Sequence, residues 1–229
     1  MIALVSKAVS RDFFEKSGIY TLPLFPYEKL DTPVASHADM LFCIIGKNIF
    51  CYGDYYDQNK ERFKEIQNYN IIKVGKKCSP KYPHDVGLNV LVMGKSIFCS
   101  IKSVAVEILD FAKLNGYSVI NVKQGYSSCS VLVLDENHAV TADKSMAKAI
   151  KSDGKDVLEI NVGNITLEGY NYGFIGGASG VCGRKVYFFG SVHSHPDGEK
   201  IIKYLSSNGF EAVTVFDGEL RDVGGIKFL

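Results

Sequence analysis

Residues Met40–Asp54 read MLFCIIGKNIFCYGD, and residues Leu88–Lys102 read LNVLVMGKSIFCSIK. In each stretch two apolar runs flank a Gly-Lys pair, Gly46-Lys47 or Gly94-Lys95. A glycine-led turn between two apolar runs predicts a β-hairpin. The design returns twice more. CSVLVLDENHAVTAD, from Cys129, turns at Asp135 to Asn137, and GVCGRKVYFFGS, from Gly180, turns at Gly183-Arg184. Repetition at this spacing makes the hairpin part of a larger unit.

Working outward, each hairpin is followed by a helical pattern: NKERFKEIQN, SVAVEILDFAKLNG, KSMAKAIKSDG and EKIIKYLSSNG. Each pattern stops at a residue suited to the left-handed C′ position, namely Asn68, Gly116, Gly154 or Gly209. A last apolar strand then follows, as in NIIKV, YSVINV, DVLEINV and FEAVTV. The unit is strand, strand, helix, strand. The N-terminal stretch IALVSKAVSRDFFEKSGIYTLPL, with its stop at Gly18, is the same unit without its first strand, and the C-terminal GGIKFL supplies a lone strand. Joined, they make a fifth unit. The expectation is an α/β fold: five ββαβ units in a ring closed by pairing of the N- and C-terminal strands. One domain would span 1–229, with units at about 226–229 plus 1–36, 37–84, 85–127, 128–175 and 176–225.

Composition narrows the function. Lys and Arg number 26 against 25 for Asp and Glu, with no basic block, so a nucleic-acid partner is not expected. The opening MIALVSKAVSRDFF has too short an apolar run for a signal peptide, and no later run is long enough for a membrane span. A soluble, cytoplasmic chain with no membrane partner is the expectation, and its oligomeric state is left open. The six cysteines form no C-x-x-C pair and no zinc spacing. Cys43, Cys51 and Cys99 sit in apolar strand runs and read as small hydrophobes. Cys129, in KQGYSSCS, stands between elements.

In such a ring the junctions between units return to one end of the central axis. They read VASHADM, YPHDVGLN, QGYSSCS, GGASGV and LRDVGGI, and carry His37, Asp39, His84, Asp85, Cys129, Ser179 and Asp222. Each could merely cap a turn or face solvent. Together they predict a polar pocket.

Five ββαβ units in a closed ring resemble the pentein α/β-propeller. That fold is shared by guanidine-modifying enzymes (arginine and agmatine deiminases, amidinotransferases, dimethylarginine hydrolases) and by an archaeal and eukaryotic ribosome anti-association factor. His37-Ala38-Asp39 is similar to the H-x-D that opens the histidine-bearing unit of the deiminases. The resemblance implies His37 as acid/base and Asp39 as a guanidinium-binding carboxylate. The cysteine departs from the pattern: where a deiminase has roughly G-G-x-x-C near its C-terminus, this chain has Gly224-Gly225-Ile226-Lys227-Phe228. Cys129, at an equivalent junction of another unit, is the candidate nucleophile. Its pKa would be lowered by an imidazolium or a bound cation, whereas a shift of strand register would turn it away. Asp85, His84, Asn89, Tyr126, Ser179, Asp222 and His195 are candidate substrate-binding residues, with Asp85 holding the cation and Asn89 a polar tail. The implied function is cysteine-dependent hydrolysis or transfer at the C–N bond of a small guanidine or amidine, without cofactor. The alternative is a non-catalytic pentein that binds a small molecule or a macromolecule.

FFGSVHSHPDGEK, Phe188–Lys200, also has the H-x-H-x-D spacing of a metallohydrolase in His193, His195 and Asp197. No histidine follows to complete a metal site, and Pro196 and Asp197 suit a helix start. A turn and cap, with His195 at most a lid residue, are expected in place of a metal.

Overall fold

The computed structural model describes residues 1–9 and 12–229. The first unit holds β1 (Ile2–Ser6), α1 (Asp12–Lys16) and β2 (Tyr20–Leu24). The second opens with a short helix, α2 (Ala38–Leu41), then β3 (Phe42–Ile45), β4 (Asn48–Tyr52), α3 (Gly53–Asn59) and β5 (Asn70–Val74). The third comprises β6 (Leu91–Met93), β7 (Ser96–Cys99), α4 (Val106–Leu114) and β8 (Ser118–Asn121). In the fourth are β9 (Val131–Val133), β10 (His138–Thr141), α5 (Lys144–Ser152) and β11 (Asp156–Glu159). The fifth holds β12 (Ser179–Cys182), β13 (Lys185–Phe188), α6 (Gly198–Ser207) and β14 (Glu211–Thr214), and β15 (Lys227–Phe228) follows.

The strands form five three-stranded sheets with one plan. Within each repeat the hairpin is antiparallel and the strand after the helix returns parallel to the middle strand, as β4 does with β3 and β5. Gly46 and Gly94 take φ of +59° at the hairpin tips, a conformation that a side chain strains. Chain-end pairing closes the ring: β15 runs antiparallel to β1, with Ala3 opposite Phe228, and Leu229 exchanges both backbone hydrogen bonds with Ile2. Tyr187 seals this seam from the neighbouring unit, its ring 6.3 Å from Phe14 and 5.3 Å from Phe228.

The stop glycines Gly18, Gly116, Gly154 and Gly209 all have positive φ. Asn68 does not, which corrects the expectation there. The second unit's helix also lies earlier than expected: α3 occupies residues 53–59, and only a 3₁₀ segment, Arg62–Ile66, covers the expected stretch. Buried Tyr55 anchors the earlier turn, while Phe63 and Ile66 bury the later one. Cys43, Cys51 and Cys99 lie in the core, where burial pushes their thiols up to about 12, 12 and 11. Among the described residues no helix is long and apolar enough to cross a membrane.

The first strands of the sheets surround the axis. A cavity of about 230 Å³ runs between residues 42–44, 90–92, 131–133, 180–181 and 226–228. The junctions lie where the chain enters these strands.

Candidate active site

The site begins at α2, whose N-cap is His37. The Asp39 amide donates to the Gly224 carbonyl at 3.1 Å, tying this helix to the last junction. Gly224 has φ +83°, and a Cβ there would lie 2.3 Å from His37 Cβ. Gly177 is similarly constrained, because a Cβ on it would meet Asp222 Oδ1 at 2.1 Å. Only glycine lets the two junctions close around these side chains.

Asp222 is 4% exposed, and its carboxylate accepts from the Phe174 and Gly224 amides at 2.9 and 3.0 Å. Its Oδ1 stands 3.8 Å from His37 Nδ1. Asp39 is 1% exposed, and apart from the Cys129 thiol beside it neither of its oxygens meets a hydrogen-bond donor. A buried carboxylate so poorly partnered is costly in a free protein and is what a cationic ligand would repair.

Asn89 holds the cysteine. Its amide NH₂ donates to Cys129 Sγ at 2.7 Å and to the Asp39 carbonyl at 3.1 Å. Its carbonyl oxygen accepts from the Ser128 and Cys129 amides at 2.8 and 3.3 Å. One side chain thereby links three junctions. His37, Cys129 and Asp222 line one cavity of about 260 Å³, closed on its outer side by Tyr126 and by the segment Leu167–Phe174.

Electrostatics in the free site differ from the sequence expectation. The Cys129 thiol is pushed well above its ordinary value, first by burial, then by the Asp39 and Asp222 charges and by its hydrogen bond to Asp39, with the Asn89 hydrogen bond opposing. Burial also raises Asp222, to about 6, against the pull of His37 and with Asp39 adding to the rise.

A family model covers residues 4–227, described as a family of unknown function (DUF6873). The chain belongs to that family. No curated protein matches it. Solved structures do. DDAH (dimethylarginine dimethylaminohydrolase) from Pseudomonas aeruginosa, in a mutant complexed with citrulline, aligns over 98% of this chain and 95% of its own, with TM-score 0.57 and 9% identity. A C. jejuni agmatine deiminase with substrate bound aligns over 93% and 87%, with TM-score 0.56 and 12% identity. Inosamine-phosphate amidinotransferase from Streptomyces griseus aligns over 94% and 75%, with TM-score 0.54 and 12% identity. At such identities the likeness establishes the fold, a five-unit pentein α/β-propeller.

Within this DUF6873 chain the remaining candidates fall elsewhere. Asp85 is buried behind Tyr126, whose hydroxyl donates to Asp85 Oδ2 at 2.6 Å. Burial raises the Asp85 carboxyl and this hydrogen bond opposes the rise. Asn89 is spent on the cysteine and its neighbours, so it is not available to a ligand tail. His84 is exposed. The hydroxyl of Ser179 donates to the Ile175 carbonyl at 2.7 Å, and the residue borders the axial cavity instead. His195, 3% exposed, folds into its own turn: its Nδ1 accepts from the Asp197 amide at 3.0 Å. His193 faces Glu199 at 3.0 Å, and among the described residues no three His, Cys, Asp or Glu side chains gather as metal ligands. The Asp197 side chain accepts from the Asn161 amide at 2.6 Å, not from its own helix.

Sequence reasoning missed the cavity's outer wall. Leu167, Tyr170, Tyr172 and Phe174 come from the long junction after β11, whose signal was the aromatic run YNYGF in an otherwise element-free stretch.

Proposed function

We propose that this chain is a cysteine-dependent hydrolase or transferase acting on the C–N bond of a small guanidine- or amidine-type cation, with Cys129 as nucleophile, His37 as acid/base and Asp39 and Asp222 as cation-binding carboxylates. The observation that carries the reading is the meeting of a thiol, an imidazole and the buried Asp222 carboxylate in one cavity, with buried Asp39 acting on Cys129 and Asp222 from beside it. The guanidino chemistry named for similar folds, DDAH and the amidinotransferase, agrees with it. The nucleophile would come from the unit opened by Ser128-Cys129, since Phe228 stands where the deiminase pattern has its cysteine.

The raised thiol pKa has a role in this reading. A bound planar cation offsets the Asp39 and Asp222 charges and favours the thiolate, the thiol proton passing to His37, so the nucleophile forms only when substrate is present. The sulfur then gives an electron pair to the central carbon, and a C–S bond forms as the C–N π pair moves onto nitrogen. His37 protonates the departing nitrogen, the C–N bond breaks and an amine leaves. Water, or an acceptor amine in a transferase, adds to the same carbon and gives its proton to His37. The C–S bond breaks with its electron pair returning to sulfur.

The same raised pKa favours a second reading, a pentein that binds the cation without attacking it. A turnover assay decides between them. Wild type should release ammonia or amine from a small guanidine, and Cys129→Ser should lose about 10³-fold or more while keeping its melting temperature. Equal turnover by the variant removes the covalent mechanism. Binding by both proteins without release by either selects the second reading.

A further inference from the structure

The outer half of the cavity carries information about the rest of the substrate. Its wall is aromatic: Tyr126 and Phe174 rings lie 6.3 Å apart, and Phe174 and Tyr172 lie 6.1 Å apart. Two of the wall's hydroxyls point to carboxylates. Tyr170 donates to Asp31 Oδ2 at 2.9 Å, and Tyr126 donates to Asp85 Oδ2 at 2.6 Å. Asp85 Oδ1 is buried without a partner. Asp31 raises Asp85, and both raise Tyr170, so the two carboxylates act on the same space.

Positive charge is missing from this wall. Among the described residues lining the cavity there is no lysine or arginine. Arg221 borders an adjoining cavity of about 660 Å³ and stacks over Phe216, 5.4 Å from the ring centroid. Lys227 donates to Ser128 Oγ at 2.8 Å in the axial cavity. His84, beside Asp85, is exposed.

Resting on the guanidine reading above, we propose that the cavity takes a small guanidine or amidine whose non-reacting substituent is uncharged or basic, and turns away one that carries a carboxylate. An apolar substituent lies against the aromatic faces. An ammonium gains from the same faces and from Asp31 and Asp85 behind them. A carboxylate on the substituent would lose its water beside this wall, with Asp31 and Asp85 behind the tyrosines and no lysine or arginine to pair it, an arrangement that discriminates against like charge in a closed site. The volume, about 260 Å³, sits at the small end of ligand sites and fits a substituent of only a few carbons.

Three probes of matched length test this on the full chain carrying Cys129→Ser, which prevents turnover: n-butylguanidine, 4-aminobutylguanidine and 4-guanidinobutyrate. Calorimetric dissociation constants should be about tenfold or more weaker for the carboxylate than for either of the others. Adding Asp31→Asn and Asp85→Asn, with folding checked by melting temperature, should narrow that gap severalfold. Binding of 4-guanidinobutyrate as tightly as the other two overturns the inference and leaves the guanidine reading standing. Absence of binding by all three overturns that reading and the inference with it.

Discussion

The axial cluster and the loop after β13 carry the same kinds of side chain in opposite arrangements. In the loop, His193, His195 and Asp197 are neighbours in sequence, and the chain spends them locally: one ring faces Glu199, the other accepts from the amide two residues on. At the axis, residues 37 and 39, 129 and 222 come from three distant junctions, and the Asp39 carboxylate is left with no cation and no donor beyond the Cys129 thiol. The loop also leaves a buried orphan, His195 Nε2, but a neutral imidazole nitrogen costs far less to bury than a carboxylate. Chemistry-like spacing within a loop is readily consumed by turn formation. Unsatisfied charge assembled from separate units marks a place where something else binds.

The largest effects should separate the two regions in opposite directions. Asp39→Asn removes an unpaired buried charge, so the free protein should gain about 1–3 kcal/mol of stability while losing tenfold or more in affinity for a small guanidine. His195→Ala should lose about 2–3 kcal/mol of stability and leave that affinity unchanged. Denaturant melts and calorimetry on the two variants check the pair, and the comparison breaks if the signs are exchanged.

A smaller effect concerns pH. Asp222 is raised to about 6, so the free site holds it protonated below that value, and a bound cation favours its ionised form. Affinity for the guanidine should therefore climb as pH rises toward about 6 and level off above it, and Asp222→Asn should flatten the curve. For the free protein the sign is reversed. A carboxyl whose folded pKa is raised contributes stability that is complete below its ordinary 3.8 and is lost as pH rises through about 6. The smallest effect belongs to the loop's exposed pair: with side chains 64% and 88% exposed, His193 and Glu199 should tolerate His193→Ala within about 0.5 kcal/mol.

The ring was legible because its grammar is local. A Gly-Lys turn, a stop glycine and an apolar strand each follow from nearby residues, and their repetition gives the closure. Where one unit lacked a glycine stop, at Asn68, the reading of its helix slipped by about a turn and a half. Cys129, His37, Asp39 and Asp222 could be singled out as candidates because polar residues at junctions stand out against apolar strands. Their partners were not readable. That Asn89 serves the cysteine, and that Ser179 turns toward the axial cavity, depends on side-chain directions across the ring, which no spacing encodes. The Tyr170–Phe174 wall was overlooked because an irregular segment has no period to detect.

The hydrogen bonds between Ile2 and Leu229 make the chain's order of units a matter of where a circle has been cut. A circular permutant joined across residues 229 and 1 and opened near residue 175 would place the Cys129 unit last, close to its own C-terminus, without moving an atom of the cavity. The position of a side chain along such a sequence is therefore independent of its position in space.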